Sequence, residues 1–387
     1  MKKVLFISLA VVLALSVSLI GCGEPVEPAV LTIGAVYVGS VNDAGYNQAL
    51  HDSIAVIADN IEGIKIIEAE NVAEDACTLP MQLMVDQGAD LIIATSFGYH
   101  DAALALSVDN PDVVFEWCGG GSENMTDNFG TFFGEPPNGW YMMGMAAGLM
   151  MQTNNVTDPM FGFVAAFPIG WTRTFINAFT LGAQSVYAPV VPNATAAVEV
   201  VVSYTYSWSD LAQQAITTNA LIDAGADVIT MHVDAPTTVI GTAETRGVYS
   251  IGYQSVEAKK FAPLKWIGGI GFTFGDQLTG IAQDVISGNY TGANKYWGWD
   301  EGAMELAEWG PDVTEAIKTE VLDAKDDLEA GTLNAFTGPI YDRDTGLIAA
   351  LYSIWPNPLL LTEGVTIPDY ALGWGDDFYV WGVTGGE

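Results

Sequence analysis

The sequence has few cysteines, few histidines and few cations, and each scarcity closes off a class of protein. Three cysteines in 387 residues cannot knit a disulfide scaffold, and no Cys-x-x-Cys or His-x-x-x-His spacing supplies a zinc set. His51, His100 and His232 are scattered, so no metal is expected. Only 12 lysines and arginines stand against 47 acids, for a net charge of −35. A surface this acidic repels phosphate backbones and anionic lipid and slows the approach of an anionic ligand. Nucleic acid is therefore excluded as a partner, and a neutral or locally paired ligand is expected. There is no Gly-x-Ser-x-Gly elbow, no Gly-x-x-x-x-Gly-Lys loop, and no histidine placed near a serine or cysteine nucleophile, so neither catalysis nor a cofactor is expected. Gly119-Gly120-Gly121 reads as a loop. Gly268-Gly269-Ile270-Gly271 reads as a crossover or a close backbone approach to ligand, because no dinucleotide fingerprint surrounds it.

What is present begins with Met1, Lys2 and Lys3 ahead of an apolar run from Val4 to Ile20. A charged start, a short apolar core and a small residue at the end make residues 1–21 an export signal, removed from the mature chain. Its loss takes Lys2 and Lys3 with it and moves the charge from −35 to −37. Leu19-Ile20-Gly21-Cys22 resembles a bacterial lipobox, which makes Cys22 the expected lipid-bearing residue and 22–29 an extended tether; the alternative is an ordinary signal with an incidental cysteine. Several acyl chains hold a protein stably, whereas one is marginal. Export also permits a disulfide between Cys77 and Cys118, the alternative being two small buried hydrophobes.

The remaining chain exceeds what one core organises, which predicts two lobes. With 50% apolar and 15% charged residues it has ample material for a core. Short apolar runs at Leu31–Val38, Ile64–Ala69, Asp90–Thr95, Val113–Trp117 and Phe129–Phe133 read as strands. Helical patterns at Tyr46–Ala58 and Pro80–Gln87 lie between them, so the order predicts a parallel sheet covered on both faces. Trp140–Met151 is too short to span a membrane and carries Gly144 and Gly148, which suits a buried helix. A second alternation follows, with strands at Phe161–Ala166, Val198–Tyr204, Asp227–His232 and Val248–Tyr253 and a helix at Ser209–Ala224. Gln87-Gly88-Ala89-Asp90 and Ala224-Gly225-Ala226-Asp227 are nearly the same helix-to-strand junction, closed by glycine, so the lobes read as repeats of one unit. The expected division is 30–135 plus 265–290 for the first lobe and 136–264 plus 291–387 for the second, joined by several crossovers that make a hinge.

Six phrases then carry a resemblance: Asn42-Asp43-Ala44-Gly45-Tyr46-Asn47, Ile92-Ile93-Ala94-Thr95-Ser96-Phe97, Asn110-Pro111-Asp112-Val113-Val114-Phe115, His232-Val233-Asp234-Ala235-Pro236, Ile251-Gly252-Tyr253-Gln254-Ser255 and Phe336-Thr337-Gly338-Pro339-Ile340. In this order and at strand ends, they resemble the basic membrane protein family of ABC-transporter substrate-binding lipoproteins, which includes purine-nucleoside receptors. The last three are similar to a branch associated with free purine bases. The resemblance implies a periplasmic-binding-protein type I fold, with two doubly wound α/β lobes. It also implies a purine-like ligand in the cleft, permease and ATPase partners, and a place outside the cytoplasmic membrane. The first phrase departs from the Asp-Lys-Ser-Phe-Asn pattern of the nucleoside receptors, and the missing lysine puts ribose recognition in doubt. A sensor lipoprotein and a structural surface lipoprotein are the alternative functions, since fold alone does not fix output.

Ligands of open α/β sheets bind beyond the carboxyl ends of strands. The loops there supply Asn42, Asp43, Tyr46 and Asn47, then Phe97, Trp171, Trp208, Asp234 and Tyr253 as candidate ligand-binding residues. A flat ring needs faces to stack on, for which Tyr46 and Trp208 are the expected pair. Asn47, Asp43 and Asp234 have the donors and acceptors for a ring edge. Each has a plainer reading: a lone aromatic is more often core, Asp234 could cap the next helix, and Asp43 could be a turn residue. Asn124, Asn155, Asn193 and Asn289 head glycosylation triplets, which matter only in a host that glycosylates exported proteins.

Overall fold

A computed structural model describes residues 30–187, 198–337, 340, 343–344 and 379–386. The expected signal and tether, Cys22 and Asn193 lie outside the described residues, as do residues 345–378.

The first alternation is β1 (Leu31–Val36), α1 (Tyr46–Asn60), β2 (Ile64–Ala69), α2 (Thr78–Asp86), β3 (Leu91–Ala94), α3 (His100–Asp109), β4 (Val114–Cys118) and β5 (Phe129–Gly134). The chain then enters α4 (Pro137–Thr153), β6 (Met160–Ala165), α5 (Gly170–Tyr187), β7 (Glu199–Tyr204), α6 (Leu211–Asp223), β8 (Val228–His232), α7 (Thr237–Arg246) and β9 (Tyr249–Gln254). It ends with β10 (Trp266–Phe272), α8 (Gly275–Ser287), β11 (Asn294–Trp297), β12 (Met304–Leu306), α9 (Glu315–Glu329) and β13 (Val383–Gly385).

These strands form two sheets, ordered β11-β5-β4-β3-β1-β2 and β12-β10-β9-β8-β6-β7-β13. Every pairing is parallel except β10 with β12. The central strands β1, β3, β8 and β10 are buried along their whole length, whereas the edge strand β2 is not. Parallel strands with helices on both faces must be apolar on both sides, and this is what the short unbroken runs record. The paired junctions are also structural equivalents. Gly88 and Gly225 both take positive φ. Asp90 and Asp227 then accept the backbone N–H of Thr32 and Met160 on the neighbouring strand, at 2.8 and 3.0 Å.

The expected division of the chain needs one correction. Residues 265–290 do not all return to the first lobe: β10 lies in the second sheet, between β9 and β12, while α8 packs against α1. Conversely β11, expected in the second lobe, is the edge of the first sheet. All seven residues of β10 are buried, and its backbone is satisfied by β9 on one side and β12 on the other, as a buried backbone requires. The chain therefore crosses between sheets at Gly134–Pro137, at Phe272–Gly275 and after Trp297. Strand β11 is fastened to β4 by a buried pair: Glu116 Oε1 accepts from Lys295 Nζ at 2.7 Å and from the Tyr290 hydroxyl at 2.6 Å.

Helix α4 is buried on nearly every face. Its glycines let it touch α5 backbone to backbone, since a Cβ at Gly144 would overlap the Phe179 carbonyl and one at Gly182 the Tyr141 carbonyl. Trp140 fills the space between this pair and the second sheet, against Phe163, Phe175 and Tyr253. No helix among the described residues is long and apolar enough to cross a membrane.

The expected disulfide is absent: Cys77 and Cys118 are both free and buried. They lie in separate apolar clusters, Cys77 with Met81, Met84 and Tyr99, Cys118 with Tyr46 and Phe132. Burial pushes both thiols up, which is the behaviour of small hydrophobes.

Candidate functional site

A cleft lies between the lobes, lined by Tyr46, Ser96, Phe97, Gly119, Phe133, Ile169, Trp171, Trp208, His232, Asp234 and Gln254. Each sits at or just beyond the carboxyl end of a parallel strand. β1, β3, β4 and β5 contribute from the first sheet, and β6, β7, β8 and β9 from the second. Strand ends of both lobes therefore converge on one space, the arrangement expected of α/β sheets.

The wall from the first lobe is set by how α1 begins. Asp43 gathers the loose N–H groups of the first turn, from Gly45 at 2.7 Å, Gln48 at 3.1 Å and Asn47 at 3.2 Å, and holds the Asn47 amide at 2.8 Å. Asn47 in turn accepts from the Gly39 N–H. The Tyr46 N–H is left over, and it donates across the cleft to the Asp234 carbonyl at 3.1 Å. Gly45 permits this approach, because a Cβ there would overlap both that carbonyl and Pro236. The Tyr46 hydroxyl points inward and donates to the carbonyl and thiol of Cys118 at 3.1 and 3.3 Å.

The wall from the second lobe is aromatic. Trp208 meets His232 and Phe167 edge-on, with ring centroids 5.2 and 5.4 Å apart. Trp171 packs on Phe133 at 5.1 Å across the cleft. His232 is buried and hydrogen-bonded to the Thr172 hydroxyl at 3.0 Å. Burial alone brings its pKa from 6.5 to about 3, so the ring is neutral. Asp234 is 5% exposed. Burial, then the charges of Asp43 and Glu74, push its pKa up to about 8 against a hydrogen bond from Gln254. It does not cap the helix that follows, since α7 starts behind Pro236 with no side-chain cap. No lysine or arginine lines the cavity among the described residues, and no group of acids, histidines and cysteines among them could hold a metal.

Of the nine residues expected from the sequence, Tyr46, Phe97, Trp171, Trp208 and Asp234 line this cavity. Asp43 and Asn47 are engaged in building the turn that presents Tyr46. Asn42 is exposed at that turn. Tyr253 lies behind the wall, packed on His232, Phe175 and Phe272. Ser96, Gly119, Phe133, Ile169, His232 and Gln254 were not anticipated. Ser96, His232 and Gln254 nevertheless stand within the quoted phrases at strand ends, and that position is the available signal.

A purine-binding protein of Brucella abortus is 30% identical over 81% of this chain and 85% of its own length. A putative ABC transporter glucose-binding protein of Haloferax volcanii is 28% identical over 84% of this chain and 78% of its own. Solved solute-binding proteins of ABC transporter systems share the fold. The one from Aeropyrum pernix has a TM-score of 0.64 at 16% identity, covering 81% of this chain and 93% of that one. The one from Conexibacter woesei has 0.60 at 16% identity, covering 79% and 98%. The fold is thus the periplasmic-binding-protein type I architecture. A family model described as Bmp, ABC transporter substrate-binding protein PnrA-like, matches residues 30–342, and the chain belongs to that family.

Proposed function

We propose that this protein is the receptor of an ABC importer for a purine base or nucleoside, held at the outer side of the membrane by lipid on Cys22. The chemistry of the cavity wall carries the reading. Six of the lining residues offer aromatic rings: Tyr46, Phe97, Phe133, Trp171, Trp208 and His232. The polar side chains are few, and Ser96 is already spent on Glu74 at 2.7 Å. A hexose would need a partner for each hydroxyl, because unmet polar groups in a dry site are costly. Only His232, Asp234 and Gln254 are at hand. A flat heterocycle needs stacking faces and two or three polar contacts, which is what this wall supplies. The purine-binding relative supports the same class.

On this reading Tyr46 and Trp208 stack on the ring and Asp234 takes an edge. Adding adenine, guanine, hypoxanthine or their nucleosides to ligand-stripped protein should quench tryptophan fluorescence and raise the melting temperature together. Trp208→Ala should weaken binding by roughly 1 to 3 kcal/mol and leave the fold intact. If none of the panel binds wild type, the purine assignment is wrong; if Trp208→Ala binds like wild type, the stacking pair is wrong.

A further inference from the structure

One polar side chain of the cavity has not been used. Gln254 closes β9, lines the cavity and is 2% exposed. Its backbone has φ +77°, a region that residues other than glycine seldom enter, so its side chain is aimed by an unusual turn. The Gln254 amide favours the charged form of the Asp234 carboxyl, which is the effect of an N–H group facing it. The amide oxygen, Oε1, is buried and has no partner. Native interiors rarely leave such an acceptor unmet unless something else fills the place.

We propose that Gln254 selects the ring edge of the ligand: with its N–H group given to Asp234, Oε1 and the Asp234 carboxyl stand as adjacent acceptors, matched by a purine edge with two adjacent N–H donors. This rests on the purine reading of the same cavity and names the member of that class. The N1–H and 2-amino group of a 2-amino-6-oxopurine are such an edge. Hypoxanthine offers N1–H alone. Adenine sets the N1 acceptor beside its amino group and would face an acceptor with an acceptor. The order of affinity is then guanine, hypoxanthine, adenine, and the same order holds for guanosine, inosine and adenosine if the cleft admits the sugar. The reverse amide orientation would favour adenine, so the ranking reports which atom faces the ligand.

Calorimetric titration of the full chain with the three bases tests this, in wild type and two variants. Gln254→Met keeps the length of the side chain and removes the acceptor. Gln254→Asn suits the left-handed backbone and withdraws the amide by one methylene, so it guards against a misfolded first variant. Wild type should prefer guanine to adenine by roughly tenfold to a hundredfold. Both variants should bring the ratio close to one by weakening guanine, with adenine little changed. An adenine-preferring wild type, or a guanine preference that survives in both folded variants, overturns the assignment of Gln254 while leaving the purine reading in place. Failure of every purine to bind wild type removes the purine reading, and this inference with it.

Discussion

Asp234 shows how far burial alone can change what a residue offers. Its pKa rises from 3.8 to about 8, so in the empty protein near neutral pH the carboxyl is largely protonated. A ligand that donates N–H groups favours the carboxylate. Binding then expels a proton, and affinity should rise with pH until about 8 and flatten beyond. The empty protein responds in the opposite sense. A carboxyl with a raised folded pKa holds an extra proton in the native state between about 4 and 8, so stability falls as pH rises through that window. His232, lowered to about 3, costs stability only as pH drops below its ordinary 6.5. Between pH 6.5 and 8 the Asp234 effect is therefore free of it. Melting temperatures of ligand-free protein should decline across that interval in wild type and decline less in Asp234→Asn; parallel slopes would place the strain elsewhere. The sequence could show that Asp234 follows a strand, but not whether its side chain or its backbone meets the other lobe. The backbone carbonyl meets the Tyr46 N–H of the other lobe, while the side chain lines the cavity. The same ambiguity hid Gln254, where an unusual φ decides the direction of the side chain, and misread Asp43 and Asn47, whose polar groups are consumed by their own turn.

At the scale of elements, what was legible followed from repetition. The glycine-closed junctions at Gly88 and Gly225 announced two copies of one α/β unit, and the equivalent bonds of Asp90 and Asp227 give that repetition its physical content. The placement of β10 and β11 was not legible. An apolar run states that both faces are covered, yet nothing in it says which sheet provides the neighbours. The start of α1 is an element whose role emerges only with both lobes in view. Asp43 satisfies Gly45, Asn47 and Gln48 and leaves the Tyr46 N–H for Asp234 of the opposite lobe. The helix start is thereby a latch that holds the lobes together, and it closes only because residue 45 has no side chain. Gly45→Ala should disfavour the closed state by about 1 to 3 kcal/mol, the usual cost of an inserted methyl. The expected result is weaker ligand binding and a larger radius of gyration by solution scattering in the presence of ligand. Wild-type affinity with wild-type scattering would show that the latch does not govern closure.

For the whole molecule, charge and anchoring must be considered together. A chain at −35, or −37 without Lys2 and Lys3, is repelled by an anionic membrane surface, and the repulsion is strongest at low salt. Nothing in its composition holds it to a bilayer by electrostatics. On the proposed reading the attachment is lipid on Cys22, at the expected cleavage point of the expected export signal. Two kinds of attachment differ in their response to salt. Binding through charge is released as ionic strength rises, whereas acyl chains buried in lipid are indifferent to it. Wild-type protein expressed in an exporting bacterial host should therefore remain with the membrane fraction in both dilute buffer and about 1 M salt, well beyond the screening range of surface charges. Cys22→Ser should appear in the soluble fraction under both conditions, and a fatty-acid analogue fed to the cells should label the wild type alone. Release of the wild type by salt would mean that a partner, not lipid, retains it; equal labelling of wild type and Cys22→Ser would place the lipid on another residue.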